Sequence, residues 1–447
     1  MEEDFCRQKA ICKWIDEGER NTKFFHSLVK KKRSSSKIHS ICHQGQHISD
    51  PNEIIESAAL FFEELLTNNL VLETDNLSFL NHSVSQQDND MLCCLPTIEE
   101  VKSAIFDMCP DSAAGPDGFS ALFYQVCWEI IAQDVLIAVQ DFFCCTPMPK
   151  NFKATSIALI PKDYSTISKW LCWGRLISDN ILLAQELIHT LDEKRRYENV
   201  VYKLDMAKAY DRVQWQFLYN VLRKMGFNEK WIQLVKNCIE QCWFSVLVNG
   251  DKAGFFSSSR GLRQGDPISP SLFIILAEYL ARGLDQLFHK NPTLRYYSKG
   301  GSDVNRLSFA DDIIIFSNAS RRSIRKIVDF LDSYQRISGQ LINIGKSSFI
   351  VGNKCSSLIK QRIQNITGFV SQSLPLTYLG TPLHKGNKKC ILYDDLITRM
   401  RAKLLGWKQS MLSHGGRLAL IKSTLCSMPL HLIQVLNPPK AILHCIE

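Results

Sequence analysis

The stretch RLSFADDIIIFSN, residues 306–318, decides the fold. Apolar residues run up to a tight turn at Ala310, Asp311 and Asp312 and resume directly after it, a pattern typical of two strands joined by a short turn. Two adjacent carboxylates between such strands repel each other and lose hydration, and a bound divalent cation would relieve both costs. The hairpin therefore indicates either a metal site or an ordinary exposed acidic turn.

A further carboxylate lies in the stretch YKLDMAKAYDRVQW, residues 202–215. Its β-like run ends at Asp205, and the pattern predicts an amphipathic helix that begins within a few residues. A carboxylate at a strand end projects into a crevice where ligands commonly bind, but Asp also favours helix starts. Asp205 is thus a candidate catalytic residue or a helix cap.

The stretch SSSRGLRQGDPISPSLFIILAEYLARGL, residues 257–284, predicts a glycine-rich loop that leads into a long apolar helix. Gly261 and Gly265 permit close backbone approach to a ligand. Arg263 and Gln264 supply donors for phosphate groups or base edges. An ordinary loop and helix start would need no ligand, so this signal is weak by itself.

From residue 199 onward, the sequence pattern alternates between strands and helices, which predicts an α+β fold. Upstream, the patterns predict in order a helix over 1–33 with the basic end 30–33, a hairpin over 37–49, a helix over 52–66, a polar linker over 73–90, a helix over 97–109, helical structure over 120–145, a buried strand over 155–162, and a helix that starts at Ile177.

The bulk composition limits the class of protein. With 447 residues, 45% hydrophobic and 22% charged, the chain should bury a large core in two to four subdomains, which excludes a mostly disordered or fibrous protein. The net charge of +8 suits a polyanionic partner. The acidic N-terminus carries no secretory signal, no apolar run has membrane-spanning length, and the 16 cysteines are scattered. We expect a soluble intracellular protein without a membrane partner, and leave open whether it enters the nucleus.

Taken in order, these segments resemble the reverse transcriptases of non-LTR (LINE-type) retrotransposons, especially those of plants. Further similarity at 13–26 and 412–425 extends the resemblance over nearly the whole chain. The matching strings are GPDGF at 115–119, IALIPK at 157–162, GRLISDNILLAQELIH at 174–189, LDMAKAYDRV at 204–213, GLRQGDPISPSLF at 261–273, FADD at 309–312, GQLINIGKS at 339–347 and YLGTPL at 378–383.

The resemblance implies an α+β right-hand polymerase with fingers, palm and thumb, preceded by a helix-rich N-terminal extension. Its expected boundaries are 1–95 for the extension with its hairpin, 96–190 for the fingers, 191–350 for the palm, and 351–447 for the palm end with a helical thumb or connector. The implied activity is RNA-directed DNA polymerisation. The implied partners are an RNA template, a DNA primer and dNTPs.

Residue roles are carried over by motif. The resemblance implies that Asp205, Asp311 and Asp312 are catalytic and hold two Mg²⁺ ions, for which Mn²⁺ could substitute. Tyr210 would exclude a 2′ hydroxyl, unless it is a core aromatic on the new helix, and Lys346 would serve the leaving phosphate. The full nucleotide-binding set is Met206, Tyr210, Arg263, Gln264, Gly265 and Lys346, and the primer and template support is Tyr378, Leu379 and Gly380.

The chain departs from the family between Lys162 and Gly174. The family has several tens of residues there, including an Arg-Pro-Ile-Ser signature whose arginine is thought to grip the triphosphate, so an internal deletion near 163–173 is indicated. We expect weak or absent activity as one consequence. A catalytically inactive nucleic-acid-binding remnant is therefore the alternative function. We also expect a fragment without an endonuclease domain, which a further domain or a separate protein would supply.

Two other classes share the carboxylates. A group II intron maturase or a telomerase-like polymerase is disfavoured by the long strings of the plant elements. A metal-dependent nuclease would use clustered carboxylates, but it would not need the RQGDP loop at 263–267 or Tyr210.

Overall fold

The computed structural model describes residues 30, 37–43, 45–67, 77–110, 118–159, 176–194, 196–299, 304–309, 311–386, 390–404, 418 and 421–446. The predicted helix over 1–33, apart from residue 30, and the deletion near 163–173 lie outside the described residues. In the described part, strands and helices are mixed along the chain, which confirms the α+β class.

The helices and strands are numbered in chain order. The α-helices are α1 Pro51–Thr67, α2 Gln86–Cys93, α3 Ile98–Phe106, α4 Ala121–Val126, α5 Trp128–Phe143, α6 Ile177–His189, α7 Trp215–Met225, α8 Glu229–Ile239, α9 Ser269–Lys290, α10 Arg321–Ser338, α11 Ser357–Thr367, α12 Asp394–Leu404, α13 Ser427–Val435 and α14 Lys440–Ile446. The strands are β1 Ile41–His43, β2 Gln46–Ile48, β3 Ala154–Ala158, β4 Asn199–Leu204, β5 Met206–Ala207, β6 Trp243–Val248, β7 Asp251–Ser257, β8 Arg306–Phe309, β9 Asp312–Asn318, β10 Leu341–Ile342, β11 Ser348–Val351, β12 Val370–Ser371, β13 Leu376–Tyr378 and β14 Thr381–Leu383.

A five-stranded sheet in the order β12-β11-β4-β9-β8, the central sheet, organises the fold. Its strands β4 and β9 are antiparallel, and each is covered on both faces. Tyr202 and Ile315 face a core built with helices α7, α9, α10 and α11, whereas Val201 and Phe316 face another core, built with helix α6 and the β13–β14 hairpin. Burial on both faces explains why these strands read as unbroken apolar runs.

A smaller sheet in the order β3-β6-β7 packs against helix α1. The predicted strand over 155–162 is present as β3, but the prediction that it is buried is wrong, since none of its residues is buried. Among the described residues, strand β3 lies at the sheet edge and pairs only with β6, in parallel. In that part of the chain, no strand covers the other side of β3.

The upstream helices and hairpin follow the predictions, with one correction. Helices α1 and α3 match the helices predicted over 52–66 and 97–109, strands β1 and β2 form the predicted hairpin, and 120–145 holds two helices, α4 and α5. The polar linker over 73–90 is wrong in its second half, where helix α2 begins. Ser85 and Asp88 form a capping box, and the Asn89 amide donates to the Gly226 carbonyl at 2.7 Å.

The helix predicted directly after Asp205 is also displaced. Strand β5 follows Asp205 instead and pairs with β10, with Met206 opposite Ile342. Lys208 then adopts a left-handed backbone with φ of 54°, which a helix does not accommodate, and helix α7 begins only at Trp215. Tyr210 therefore lies in a turn rather than on the helix.

No helix in the described residues is both long and apolar enough to cross a membrane.

Candidate active site

The three predicted carboxylates lie at one edge of the central sheet. Strands β4 and β9 are antiparallel, and Leu204, the last residue of β4, pairs with Ile313, the second residue of β9, so the end of one strand adjoins the start of the other. Asp205 directly follows β4, and Asp312 opens β9. Asp311 lies in the turn between β8 and β9 and is exposed, whereas Asp205 and Asp312 are partly buried.

The carboxylates influence one another electrostatically. Burial raises the pKa of Asp312, and the negative charges of Asp311 and Asp205 raise that pKa further, while the Lys203 ammonium opposes them. Among the described residues, no group of three or more His, Cys, Asp or Glu converges to hold a metal ion. The donor chemistry nevertheless fits a hard divalent cation, because a cation beside these oxygens would relieve both burial and repulsion.

The segment that contains GQLINIGKS holds the strand end in place. The Asp205 N–H donates to the Ser347 hydroxyl at 3.1 Å, and the Asn343 N–H donates to the Asp205 carbonyl at 2.8 Å. Lys346 is exposed in the same turn, and its N–H donates to the Asn343 carbonyl at 3.1 Å. This motif therefore fixes the backbone of Asp205 and presents the Lys346 side chain to solvent.

Lys203, which the sequence analysis did not single out, joins two parts of the site. It lies on β4, and its ammonium donates to the Thr377 carbonyl of β13 at 2.8 Å. The signal in the sequence is a lysine inside an otherwise apolar strand, two residues before Asp205. The same side chain thus faces the carboxylate edge and anchors the β13–β14 hairpin.

The predicted primer-support residues form the tip of that hairpin. Tyr378 pairs with Thr381, and Leu379 and Gly380 make a two-residue turn with φ of 47° and 78°. Such a turn requires positive φ at both positions, which glycine accepts and leucine rarely adopts. Tyr378 is fully buried, Leu379 is partly buried against the same core, and Gly380 is exposed.

The glycine-rich loop is bound along the turn that contains Tyr210. The Leu262 N–H donates to the Tyr210 carbonyl at 2.9 Å, and the Gly261 N–H donates to the Val213 carbonyl at 2.8 Å. The Tyr210 ring stacks on Phe273 of helix α9, with centroids 4.5 Å apart and planes 12° from parallel. Tyr210 is therefore held between the loop and the helix that follows it.

Asp211 is another residue that sequence reasoning missed. The Gln264 side chain donates a hydrogen bond to its carboxylate, and burial raises the pKa of Asp211 although Lys208 and Arg212 oppose the shift. A Cβ on Gly261 would lie 2.8 Å from the Asp211 carbonyl, so glycine permits this close approach. Its signal was adjacency to Tyr210 in the motif AYDRV.

The remaining predicted nucleotide-binding residues differ in accessibility. Gln264 and Gly265 are exposed, whereas Met206 is buried in the core. Arg263 turns inward, where it forms an ion pair with Asp266 at 2.8 Å and donates to the Cys238 carbonyl at 3.2 Å. Gln264 and Gly265 are therefore accessible to a ligand, whereas Arg263 stabilises the loop from inside.

A family model described as reverse transcriptase (RNA-dependent DNA polymerase) matches residues 149–383, more than half of the chain and all of the sites above. The chain belongs to the reverse transcriptase family. Its fold is accordingly the right-hand polymerase that the sequence predicted, and this family uses divalent metal ions.

Relatives of this reverse transcriptase include named transposon proteins. The Transposon TX1 uncharacterized 149 kDa protein of Xenopus laevis is 22% identical over 99% of this chain and 36% of its own length. The retrovirus-related Pol polyprotein from type-2 retrotransposable element R2DM of Drosophila melanogaster is 30% identical over 34% of this chain and 13% of its own length. These relatives confirm the predicted resemblance to non-LTR elements.

The chain spans about a third of the Xenopus protein and a smaller part of the Drosophila one. Among solved structures, an apo telomerase from Candida tropicalis is similar with a TM-score of 0.39 and 12% identity, over 96% of this chain and 75% of that chain.

Proposed function

We propose that this chain is the polymerase core of a non-LTR retrotransposon reverse transcriptase, which extends a DNA primer along an RNA template with dNTPs. The observation that carries the proposal is the meeting of Asp205, Asp311 and Asp312 at one edge of the central sheet. Carboxylates from two segments far apart in sequence adjoin there, as nucleotidyl transfer requires.

The three aspartates are proposed to hold two Mg²⁺ ions, or Mn²⁺ in their place. When bound, the ions would activate the primer 3′ hydroxyl and neutralise the charge on the triphosphate and leaving pyrophosphate. The chain itself contributes position and charge. Ser347 and Asn343 fix the Asp205 backbone, and Lys203 offsets part of the negative charge around Asp312.

Nucleotide binding is assigned to the surface between the Tyr210 turn and the glycine-rich loop. Tyr210, fixed by Phe273, would lie against the sugar and exclude a 2′ hydroxyl. Gln264 and Gly265 would contact the nucleotide from the exposed loop, and Lys346 would reach the leaving phosphate. For the two inward side chains we propose indirect roles: Met206 would contribute its backbone, and Arg263 would hold the loop through Asp266.

Primer and template support is assigned to the β13–β14 hairpin. Leu379 and Gly380 form its tip, where Gly380 is exposed and Leu379 partly buried, and Tyr378 anchors the tip in the core. The bond from Lys203 to the Thr377 carbonyl ties this hairpin to the carboxylate edge. A primer end that rests on the hairpin would thereby be held in register with the carboxylates.

The same proposal includes the domain boundaries at 95, 190 and 350 and an endonuclease contributed from elsewhere. It also includes an internal deletion near 163–173. The match to the Xenopus relative extends over 494 aligned positions, although this chain has 447 residues. The alignment must therefore contain positions without a counterpart in this chain. This supports a shortened polymerase.

A catalytically inactive, nucleic-acid-binding remnant is the other candidate, and the surface beside residues 160–175 favours it. Phe152 and Leu176, which stand on either side of that segment, are 77% and 69% exposed. Large exposed apolar side chains are expected where core structure has been removed.

Primer extension on poly(rA)–oligo(dT) with Mg²⁺ separates the two candidates. The full chain is compared with an Asp311→Ala, Asp312→Ala variant and with Asp134→Ala, which removes an exposed carboxylate of helix α5. If the chain is a polymerase, the wild type and the Asp134→Ala control extend the primer and the double variant does not. A folded wild-type chain that binds the duplex without extending it leaves the remnant as the function.

A further inference from the structure

A basic groove lies between helices α10 and α11, away from the carboxylates. Its charged part is built on Arg321 of α10 and Arg362 of α11, and we count with it Arg322 and Arg325, which follow Arg321 on α10; all four are exposed. Arg321 and Arg362 also line a cavity of about 280 Å³. The other residues of the cavity wall are Leu358, Gln361, Asn365 and Ile366.

The four arginines of the basic groove have no ion-pair partner among the described residues. Arg321 and Arg322 occupy the first turn of helix α10, where a positive charge opposes the helix dipole and where no acidic residue is present. The acidic residues of this helix, Asp329 and Asp332, come later in the sequence and pair with none of these arginines. The charges therefore weaken their own helix, and no ion pair with another described residue compensates for them.

The basic groove is far from the carboxylate edge. Helix α10 begins shortly after β9 ends at Asn318, whereas Asp312 is the first residue of that strand. A strand of seven residues at about 3.3 Å per residue separates the two ends by roughly 20 Å. The groove and the catalytic edge thus occupy opposite ends of the central sheet.

We infer that the basic groove binds the sugar-phosphate backbone of a nucleic-acid strand that extends beyond the duplex at the catalytic edge. Arginine guanidinium groups bind phosphate oxygens in a fork, and the amides of Gln361 and Asn365 can donate to phosphate or sugar oxygens. Leu358 and Ile366 offer apolar contact to sugars. The choice of nucleic acid over another polyanion rests on the proposed function, but the groove itself is additional to it.

Binding measurements on the full chain test the inference without requiring catalysis. Fluorescence anisotropy would compare the wild type, Arg321→Gln, Arg362→Gln, and the control Lys224→Gln, Lys252→Gln, which loses the same two charges from exposed positions elsewhere. The ligands are a short RNA–DNA duplex, the same duplex with a 20-nucleotide RNA extension, and the same duplex with a DNA extension of that length. Equal thermal unfolding of the variants confirms that each is folded.

We expect the arginine variant to bind the extended duplexes about tenfold more weakly and the short duplex as the wild type does. The slope of log Kd against log salt should fall by about 1.4, since each phosphate contact to a single strand contributes about 0.7. The two extensions distinguish RNA from DNA as the strand. Equal weakening in the lysine control or an unchanged affinity of the arginine variant for the extended duplexes would overturn the inference. So would unchanged duplex affinity with weakened binding to phosphatidylserine vesicles, which serve as a fourth ligand.

The outcome is separable from that of the proposed function. The Asp311→Ala, Asp312→Ala variant should bind every duplex as the wild type does, because its groove is intact. Primer extension by the arginine variant at saturating duplex should proceed at the wild-type rate. A folded wild-type chain that shows groove binding but no primer extension would contradict only the polymerase proposal.

Discussion

The central sheet and the α4–α5 segment have similarly apolar sequences but opposite packing. In the central sheet, Tyr202 and Phe316 are almost completely buried, and apolar residues of β4 and β9 contact helices or the hairpin on both faces. In helix α5, only Trp128 is buried, and Ile130 is 83% exposed. Apolar sequence alone therefore does not make a core, because a core also needs structure on the facing side.

This difference in packing distinguishes the central sheet, which supports the proposed active site, from the α4–α5 segment, which lies outside it. The carboxylates, the Tyr210 turn and the β13–β14 hairpin all rest on the well-packed sheet. The α4–α5 segment comes before residues 163–173, near which the sequence predicts an internal deletion. We therefore expect substitutions in the sheet to affect stability and activity strongly, and those on the exposed face of helix α5 to affect them little.

The largest expected effect contrasts Phe316→Ala with Ile130→Ala. Removing the Phe316 ring, which packs edge-on against Tyr296, should lower the free energy of unfolding by about 3–5 kcal/mol. Ile130→Ala should change it by less than about 0.5 kcal/mol, as for most surface substitutions. Urea unfolding followed by circular dichroism measures both. Equal losses would show that the face of helix α5 that carries Ile130 is covered in solution.

The next effect tests Asp211 beside the nucleotide surface. Asp211→Asn replaces the carboxylate that accepts from Gln264 and should raise the KM for dNTP about tenfold, equivalent to about 1.4 kcal/mol. The maximal rate should change little, because no reacting atom is touched. Steady-state primer extension gives both constants, with Asp134→Asn as control. A change confined to kcat would refute a positioning role.

A somewhat smaller effect is expected from Lys203→Met. The variant loses the bond to the Thr377 carbonyl, which should weaken primer–template affinity about fivefold, or about 1 kcal/mol. Lys203→Arg keeps a charge and a donor and should retain most of the affinity. Anisotropy with the short duplex measures the difference. Equal affinities for wild type and Lys203→Met would mean that the hairpin needs no such anchor.

The smallest effect concerns pH and an ion pair outside the site. The hydrogen bond from Lys385 holds the pKa of Asp192 below its usual value, against the opposing effect of burial. The ionised form therefore stabilises the fold above about pH 4, and this contribution is lost as pH falls through the lowered pKa. Because both side chains are partly exposed, Asp192→Asn should cost at most about 1 kcal/mol at pH 7.

Unfolding measured from pH 7 down to pH 3 should show this difference between wild type and Asp192→Asn shrinking. A difference that stays constant over this range would mean that ionisation of Asp192 contributes nothing to stability.

Local patterns predicted the elements that carry the site. The hairpin at Asp311, the strand before Asp205 and the long helix after the glycine-rich loop all follow from apolar runs and turn residues. Each of these signals is contained within a short stretch of consecutive residues, so a single sequence is sufficient to reveal it.

Contacts between distant segments account for the errors. Strand β5 replaces a predicted helix start because it pairs with β10, more than a hundred residues later. Helix α2 is stabilised by the bond from Asn89 to Gly226, and Lys203 acquires its role only through Thr377. Local sequence patterns do not show which distant residues are in contact. The carboxylates could therefore be predicted from the sequence, but the residues that position them could not.

The catalytic role of the carboxylate edge is best measured by incorporation of a single dTMP in one turnover, with enzyme in excess over an RNA–DNA primer–template. We expect a Mg²⁺-dependent product one nucleotide longer with the wild type and none with Asp205→Asn, although both chains bind the duplex equally. A folded wild-type chain that binds the duplex and dTTP but adds no nucleotide would contradict a working catalytic edge.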